Sequence, residues 1–355
     1  MSDQKTALLE DVEQLRQRIV GVDMPQGMRD KLDEMLGRLE RSARFGVYSE
    51  EYERTTHYID WVLKIPWNER TQDRLDLEET KQIMDKHHYG LEPVKQRILE
   101  HLSVLKLNYQ KGNKEIISKA PILLLVGLAG TGKTSFGFAL AESMNRNISR
   151  IPFGGMGSAR DIRGQSKLHL EAEPGIIIKA LTQAGSINPV LLLDEIDRVA
   201  EHARADVMGT LLALLDPSQN KAFMDYYIDY PVDLNEVLFI ATSNNTDNIS
   251  TAVLNRLEVI RMPTYSDEEK IIIGKNYVLP TSMKEAGLEK GSLIIPDEIW
   301  PQLVRPLGFD SGIRVLKRMI DNLTRKVAHM VVSGQTNQVI INESNLNQFV
   351  DQYLS

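Results

Sequence analysis

A chain of 355 residues, 42% of them hydrophobic, can fill two or three domain cores, and its formal net charge of −7 argues against a strongly nucleic-acid-binding surface. It has no cysteine, which excludes disulfides and cysteine metal sites and fits a reducing compartment. No apolar run approaches the ~18–20 residues of a membrane span, and the start MSDQKTALLEDVEQL lacks a signal-peptide core or a mitochondrial transit pattern. A soluble, cytoplasmic protein without membrane contact is expected.

Residues 1–67 read as helices. Leu8, Val12, Leu15 and Ile19 share one helical face, and after the break at Met24-Pro25 the stripe Met28, Leu32, Met35, Leu39 repeats it. A third helix over Tyr52–Leu63 should stop at Ile65-Pro66-Trp67. Amphipathic helices are mostly packed helices, so a structural bundle is the simpler role and an interaction arm the sharper one.

Residues 68–263 alternate helical with strand-like stretches. Val94, Ile98, Leu102 and Leu105 mark a helix, and the polar stretch Lys111–Lys119 reads as a surface loop. Candidate strands are Ile122–Val126, Ile148–Phe153, Val190–Leu193, Val237–Thr242 and Glu258–Met262. That alternation predicts an α/β fold with a parallel sheet covered on both faces. Residues 264–355 are helical again, with Leu316, Ile320, Leu323, Val327 and Met330 on one face and a short strand over Gln338–Ile341.

The chemistry begins after the first strand, with Gly127, Leu128, Ala129, Gly130, Thr131, Gly132, Lys133 and Thr134. Strand, glycine loop and helix start come in phosphate-binding order. Glycines let backbone N–H groups curl round the α/β-phosphates, Lys133 can reach the β/γ-phosphates, and the Thr134 hydroxyl can ligate Mg²⁺. The buried-type strand Val190–Leu193 then ends in Asp194 and Glu195. Asp194 is placed to hold the Mg²⁺, and Glu195 to orient or deprotonate the water that attacks the γ-phosphate. ATP and Mg²⁺ are the implied ligands.

Three polar residues follow. Asn244, ending the strand after Val237, is able to position the attacking water, although a strand-terminal Asn is often only a turn former. Arg256, just before the last strand, could pair with Glu258, be solvated, or act as a finger on a neighbour's γ-phosphate. Arg314 begins a lid helix that could close over the phosphates.

Together these residues resemble the first sensor, the trans arginine and the second sensor of the AAA+ P-loop NTPases. The segments from His87 to Glu100, Asp161-Ile-Arg-Gly164, Pro174-Gly175, Leu193 to Asp197, Leu215 to Asn220, Ala241 to Asn244 and Asn255 to Arg261 closely resemble the Lon protease ATPase module. Tyr58 to Trp61 and Ile65 to Asn68 are similar to the helical segment before it. The resemblance implies an AAA+ core with a C-terminal helical lid, His88 and Tyr89 bordering the adenine, a hexameric ring and protein substrates. In Lon the lid is followed by a Ser–Lys proteolytic domain. The chain stops at Ser355, so ATPase activity without peptidase activity is expected, alone or beside a separate protease or adaptor.

One stretch departs from the family. Where Lon carries basic residues and an aromatic–aliphatic pair that grips polypeptide in the pore, this chain has His169 and Leu170, followed by Glu171 and Glu173. An exposed loop is the plain reading, and a weaker or differently selective grip the functional one. The expectation is therefore an ATP-driven motor that unfolds, remodels or translocates protein. The alternative is a nucleotide-switched binding or assembly module that threads nothing.

Overall fold

A computed structural model describes residues 2–45, 50–112, 121–169, 171–305 and 312–350. The chain opens with three helices, α1 (Ser2–Val20), α2 (Gln26–Arg44) and α3 (Glu50–Lys64). Pro25, fixed near φ −56° and without an N–H, sits at the cap that starts α2. Leu8, Val12, Leu15 and Ile19 are buried as their spacing predicts. On α2 the buried stripe is Met28, Leu32, Leu36 and Leu39, with Met35 only partly covered. The expected face was thus one residue off, because the stripe keeps a four-residue step past Leu32.

These helices do not close on themselves. One continuous cluster of buried residues runs from Leu8 on α1 to Leu257 in the sheet. Tyr58 on α3 donates its hydroxyl to the Ile228 carbonyl at 2.7 Å, and the Trp67 ring meets Tyr230 edge-on at 6.1 Å.

After α4 (Leu77–His87) and α5 (Glu92–Gln110) come the five strands that the sequence predicts. They are β1 (Ile122–Val126), β2 (Ile148–Pro152), β3 (Val190–Asp194), β6 (Leu238–Ser243) and β7 (Leu257–Arg261), all within a residue of expectation. They pair in parallel in the order β2-β3-β6-β1-β7. Alternation sorts their side chains into two cores. Leu124, Leu191, Leu193, Phe239 and Ala241 belong to the cluster that also takes in the N-terminal helices, while Leu123, Leu192, Leu238 and Ile240 belong to a second one with Ile98 on α5 and Phe136. Burying each such leucine contributes about 2 kcal/mol. A short antiparallel hairpin, β4 (Phe223–Asp225) with β5 (Tyr230–Val232), was not expected, because three-residue strands are too short to show a period.

Past the sheet, Ser266 and Glu269 form a capping box on the helix Asp267–Ile273. The long helix Arg314–Val332 and the parallel pair β8 (Leu293–Ile294) and β9 (Val339–Ile340) enclose a third core between Met283 and Phe349. Of the polar stretch 111–119, only 111 and 112 fall among the described residues, and no described helix is long and apolar enough to cross a membrane.

Candidate functional site

Parallel pairing puts the carboxyl ends of β3, β6 and β1 side by side on one edge, and each is followed by one of the polar motifs. The loop after β1 needs its glycines. Gly130 and Gly132 adopt φ +84° and +94°, and a Cβ on Gly127 would lie 2.8 Å from the Met262 carbonyl. The helix Lys133–Ser143 then starts with its free N–H groups toward a cavity of about 530 Å³.

That cavity is lined by His88, Tyr89, Gly130, Gly132, Lys133, Thr134, Asp194, Glu195 and Arg314, among others. Lys133 donates to the carbonyls of Gly127 (2.5 Å) and Leu128 (3.0 Å) and to Asn244 Oδ1 (3.1 Å). Burial, and then the nearby Arg314 charge, hold its pKa below the usual lysine value. Thr131 is buried behind the loop, where its carbonyl accepts from the Tyr265 hydroxyl at 3.3 Å. Leu128 is half exposed, and the Ala129 carbonyl lies close against Gly312 of the lid.

Asp194 is buried and its two oxygens are divided. Oδ1 accepts from the hydroxyls of Thr134 (3.2 Å) and Thr242 (2.5 Å), while Oδ2 meets the Arg150 guanidinium at 2.6 Å. Glu195 follows in a left-handed conformation, φ +57°, with its N–H donated to Thr242 Oγ1 at 2.9 Å and its carboxylate 3.5 Å from Arg198. A non-glycine residue held at positive φ stores strain, here at the residue that follows β3. Asn244 donates its backbone N–H to Asp197 at 3.2 Å, and its buried Nδ2 has no partner.

His88 is also buried. Its ring lies 4.0 Å from Phe136 and its Nε2 pairs with Ser135 Oγ at 2.9 Å, while Nδ1 has no partner. Burial, helped by the His87 and Lys95 charges, pushes its pKa down to about 4, so the ring is neutral at pH 7.

Arg256 stands apart from this cavity. It pairs with Asp216 at 2.8 Å, leaving its side chain 40% exposed, and Glu258 instead faces Arg97 and His101. His169 is exposed and does not line the cavity, and Leu170 lies outside the described residues. The loop carrying His169 is pinned at its base. Buried Asp225 accepts from the N–H groups of Gly175 (2.7 Å), Tyr227 (2.8 Å) and Ile228 (3.0 Å). Within the loop, Lys167 sits 4.5 Å over the Tyr58 ring, and Glu173 is paired with Lys179.

Sequence reasoning missed Arg150, Thr242 and Ser135, and the lid residues Tyr277, Thr281 and Lys317 that also line the cavity. Arg150 had a weak signal as the one charge in a short strand, whereas Thr242 closes an apolar run within the Ala241 to Asn244 segment but had no role of its own there.

The comparisons with known proteins point the same way. The family described as "ATPase family associated with various cellular activities (AAA)" matches residues 123–265, and "Lon protease AAA+ ATPase lid domain" matches residues 284–353. The chain is 38% identical over 346 residues to "Lon protease 2" of Thermus thermophilus, covering 96% of this chain and 43% of that protein. It is 40% identical over 336 residues to "Lon protease" of Nitrosococcus oceani, covering 95% of this chain and 42% of that protein. It thus spans less than half the length of the curated relatives it matches. On this evidence the chain belongs to the Lon family of AAA+ ATPases, whose ATPase core and lid its residues make up.

Proposed function

We propose that this chain binds MgATP in the cavity, hydrolyses it, and uses the cycle to unfold, remodel or translocate polypeptide within a homo-oligomeric ring. The observation that carries the reading is the approach of Thr134 Oγ1 to Asp194 Oδ1, 3.2 Å apart, beside Lys133 and Glu195. A hydroxyl next to a carboxylate is a hard-oxygen donor set suited to Mg²⁺, and the unpartnered Nδ1 of His88 suits the purine end beside Tyr89. Bound magnesium would neutralise charge on the β/γ-phosphates. Glu195 orients and deprotonates the attacking water, Asn244 helps to hold it, and Lys133 and Arg314 receive phosphate charge.

Arg256, exposed and remote from its own cavity, is suited to act on the neighbouring subunit's nucleotide. A hexamer with protein substrates, and a peptidase or adaptor working with the ring, complete the reading by family likeness. The test is Glu195→Gln. Nucleotide binding should persist while hydrolysis falls by at least ~10², the scale of a lost acid–base group. Unchanged turnover would remove Glu195 from the mechanism.

A second reading, a nucleotide-switched module that threads nothing, draws on the His169 loop. Its Lys167 is engaged by Tyr58 and its Glu173 by Lys179, so part of it is bound to the body of the subunit. Loss of a reporter protein's fold on ATP addition favours the motor. Nucleotide-dependent association without unfolding favours the switch.

A further inference from the structure

Arg150 belongs to none of the motifs, yet it makes the closest ionic contact to the site. It lies on β2, one of the two edge strands, whose burial alternates so that Ser149 and Ile151 face inward while Arg150 faces out. Parallel register sets Arg150 beside Leu192 and Pro152 beside Asp194, so a long side chain leaning forward along β2 reaches the acid at the end of β3. Its Nε and terminal nitrogen both contact Asp194 Oδ2, at 2.7 and 2.6 Å. The Arg150 side chain remains 53% exposed while that of Asp194 is 4% exposed.

We propose that Arg150 is a positioning residue that sets how much magnesium the nucleotide site requires. Both oxygens of Asp194 are already engaged, Oδ1 by two hydroxyls and Oδ2 by a full positive charge. A divalent cation drawn to this carboxylate meets a rival of the same sign and shares it or displaces it, and either costs binding free energy. Thr134 and Thr242 attach to the other oxygen, so removing Arg150 leaves the acid's inward orientation in place. Arg150 thereby keeps the Asp194 charge compensated when no magnesium nucleotide is present, and raises the metal concentration at which the site fills. This inference rests on the MgATP reading proposed above.

The experiment titrates magnesium against binding of a fluorescent ATP analogue, for the unmodified chain, Arg150→Gln and Arg150→Met. Both variants should reach half-saturation at about three-fold lower magnesium, the scale for one partly exposed charge pair, with analogue binding in EDTA unchanged. Arg150→Lys should fall in between, because it keeps the charge and loses the two-nitrogen contact. A half-point that stays put or rises in both neutral variants overturns the proposal. Equal changes with and without magnesium also overturn it, by making the pair only a tie between β2 and β3. Binding by the unmodified chain with no magnesium dependence overturns the proposal as well, whereas no analogue binding at any magnesium concentration makes the nucleotide-site reading itself fail, which separates the two ideas.

Discussion

The edge of the sheet that carries the phosphate loop and the loop that carries His169 are built on opposite plans. At the sheet edge the polar side chains hold one another: Lys133 to Asn244, Thr134 and Thr242 to Asp194, Arg150 to Asp194. In the other loop His169 points at solvent, while the order lies in the base, where Asp225 gathers three N–H groups, and in Lys167 over Tyr58. A site for a compact, charged ligand has its polar groups tied to one another because donors must be aimed before the ligand arrives. A surface suited to a long polymer needs only a firm base and an outward tip.

The contrast can be broken at several points. The largest effect is expected at Lys133→Ala, which removes the buried cation facing the phosphates. Hydrolysis should fall by about 10³ in a steady-state assay, in line with losing a preorganised charge donor. Gly175→Ala should act on the other region alone. Its Cβ would lie 2.1 Å from the Ile162 carbonyl oxygen, so denaturant melts should show a loss of about 3 kcal/mol. Nucleotide affinity comparable with the parent in the surviving folded fraction would confirm that the regions are separable.

Mixing Arg256→Ala with Glu195→Gln tests whether the cavity is complete in one subunit. Each variant alone should be nearly inactive, and mixtures should regain hydrolysis where an intact pocket meets an intact finger. Hydrolysis by a species shown to stay monomeric at assay concentration would refute the trans role.

Titration should separate the regions by sign. His88 is pushed down to about 4 from 6.5, so its contribution to stability is complete above pH 6.5 and is lost as pH falls toward 4. Asp225 is pushed up to about 6 from 3.8 by burial, partly offset by its N–H donors, so its contribution is complete below pH 3.8 and is lost as pH rises through 6. Denaturation midpoints against pH should therefore change slope in opposite directions in His88→Phe and Asp225→Asn. The smallest effect is expected from His169→Tyr. A larger ring adds roughly 1 kcal/mol of contact to a threaded chain, raising polypeptide-stimulated hydrolysis with basal turnover unchanged. No change in any polypeptide-dependent activity would turn the reading toward the switch.

Local order was legible because its signals are local. Five apolar runs predicted five strands to within a residue, since alternation with helices and continuous burial leave a pattern in the chain itself. The phosphate loop, the acid pair and the terminal Asn244 were readable for the same reason: each motif is a short run whose residue types carry a mechanism. The β4–β5 hairpin was not readable, nor was the choice of Leu36 over Met35, because both depend on what packs opposite.

What the sequence alone determined is the set of elements and the identity of the polar groups that end them. Only the tertiary structure decided their partners. It brought Arg150 to Asp194, Arg256 to Asp216 and Thr242 between Asp194 and Glu195, and it merged the N-terminal helices with one face of the sheet. Each of these depends on strand order and register. Pairing β3 between β2 and β6 brings together residues 44 and 48 positions apart, and no periodicity within the chain encodes which strand lies next to which.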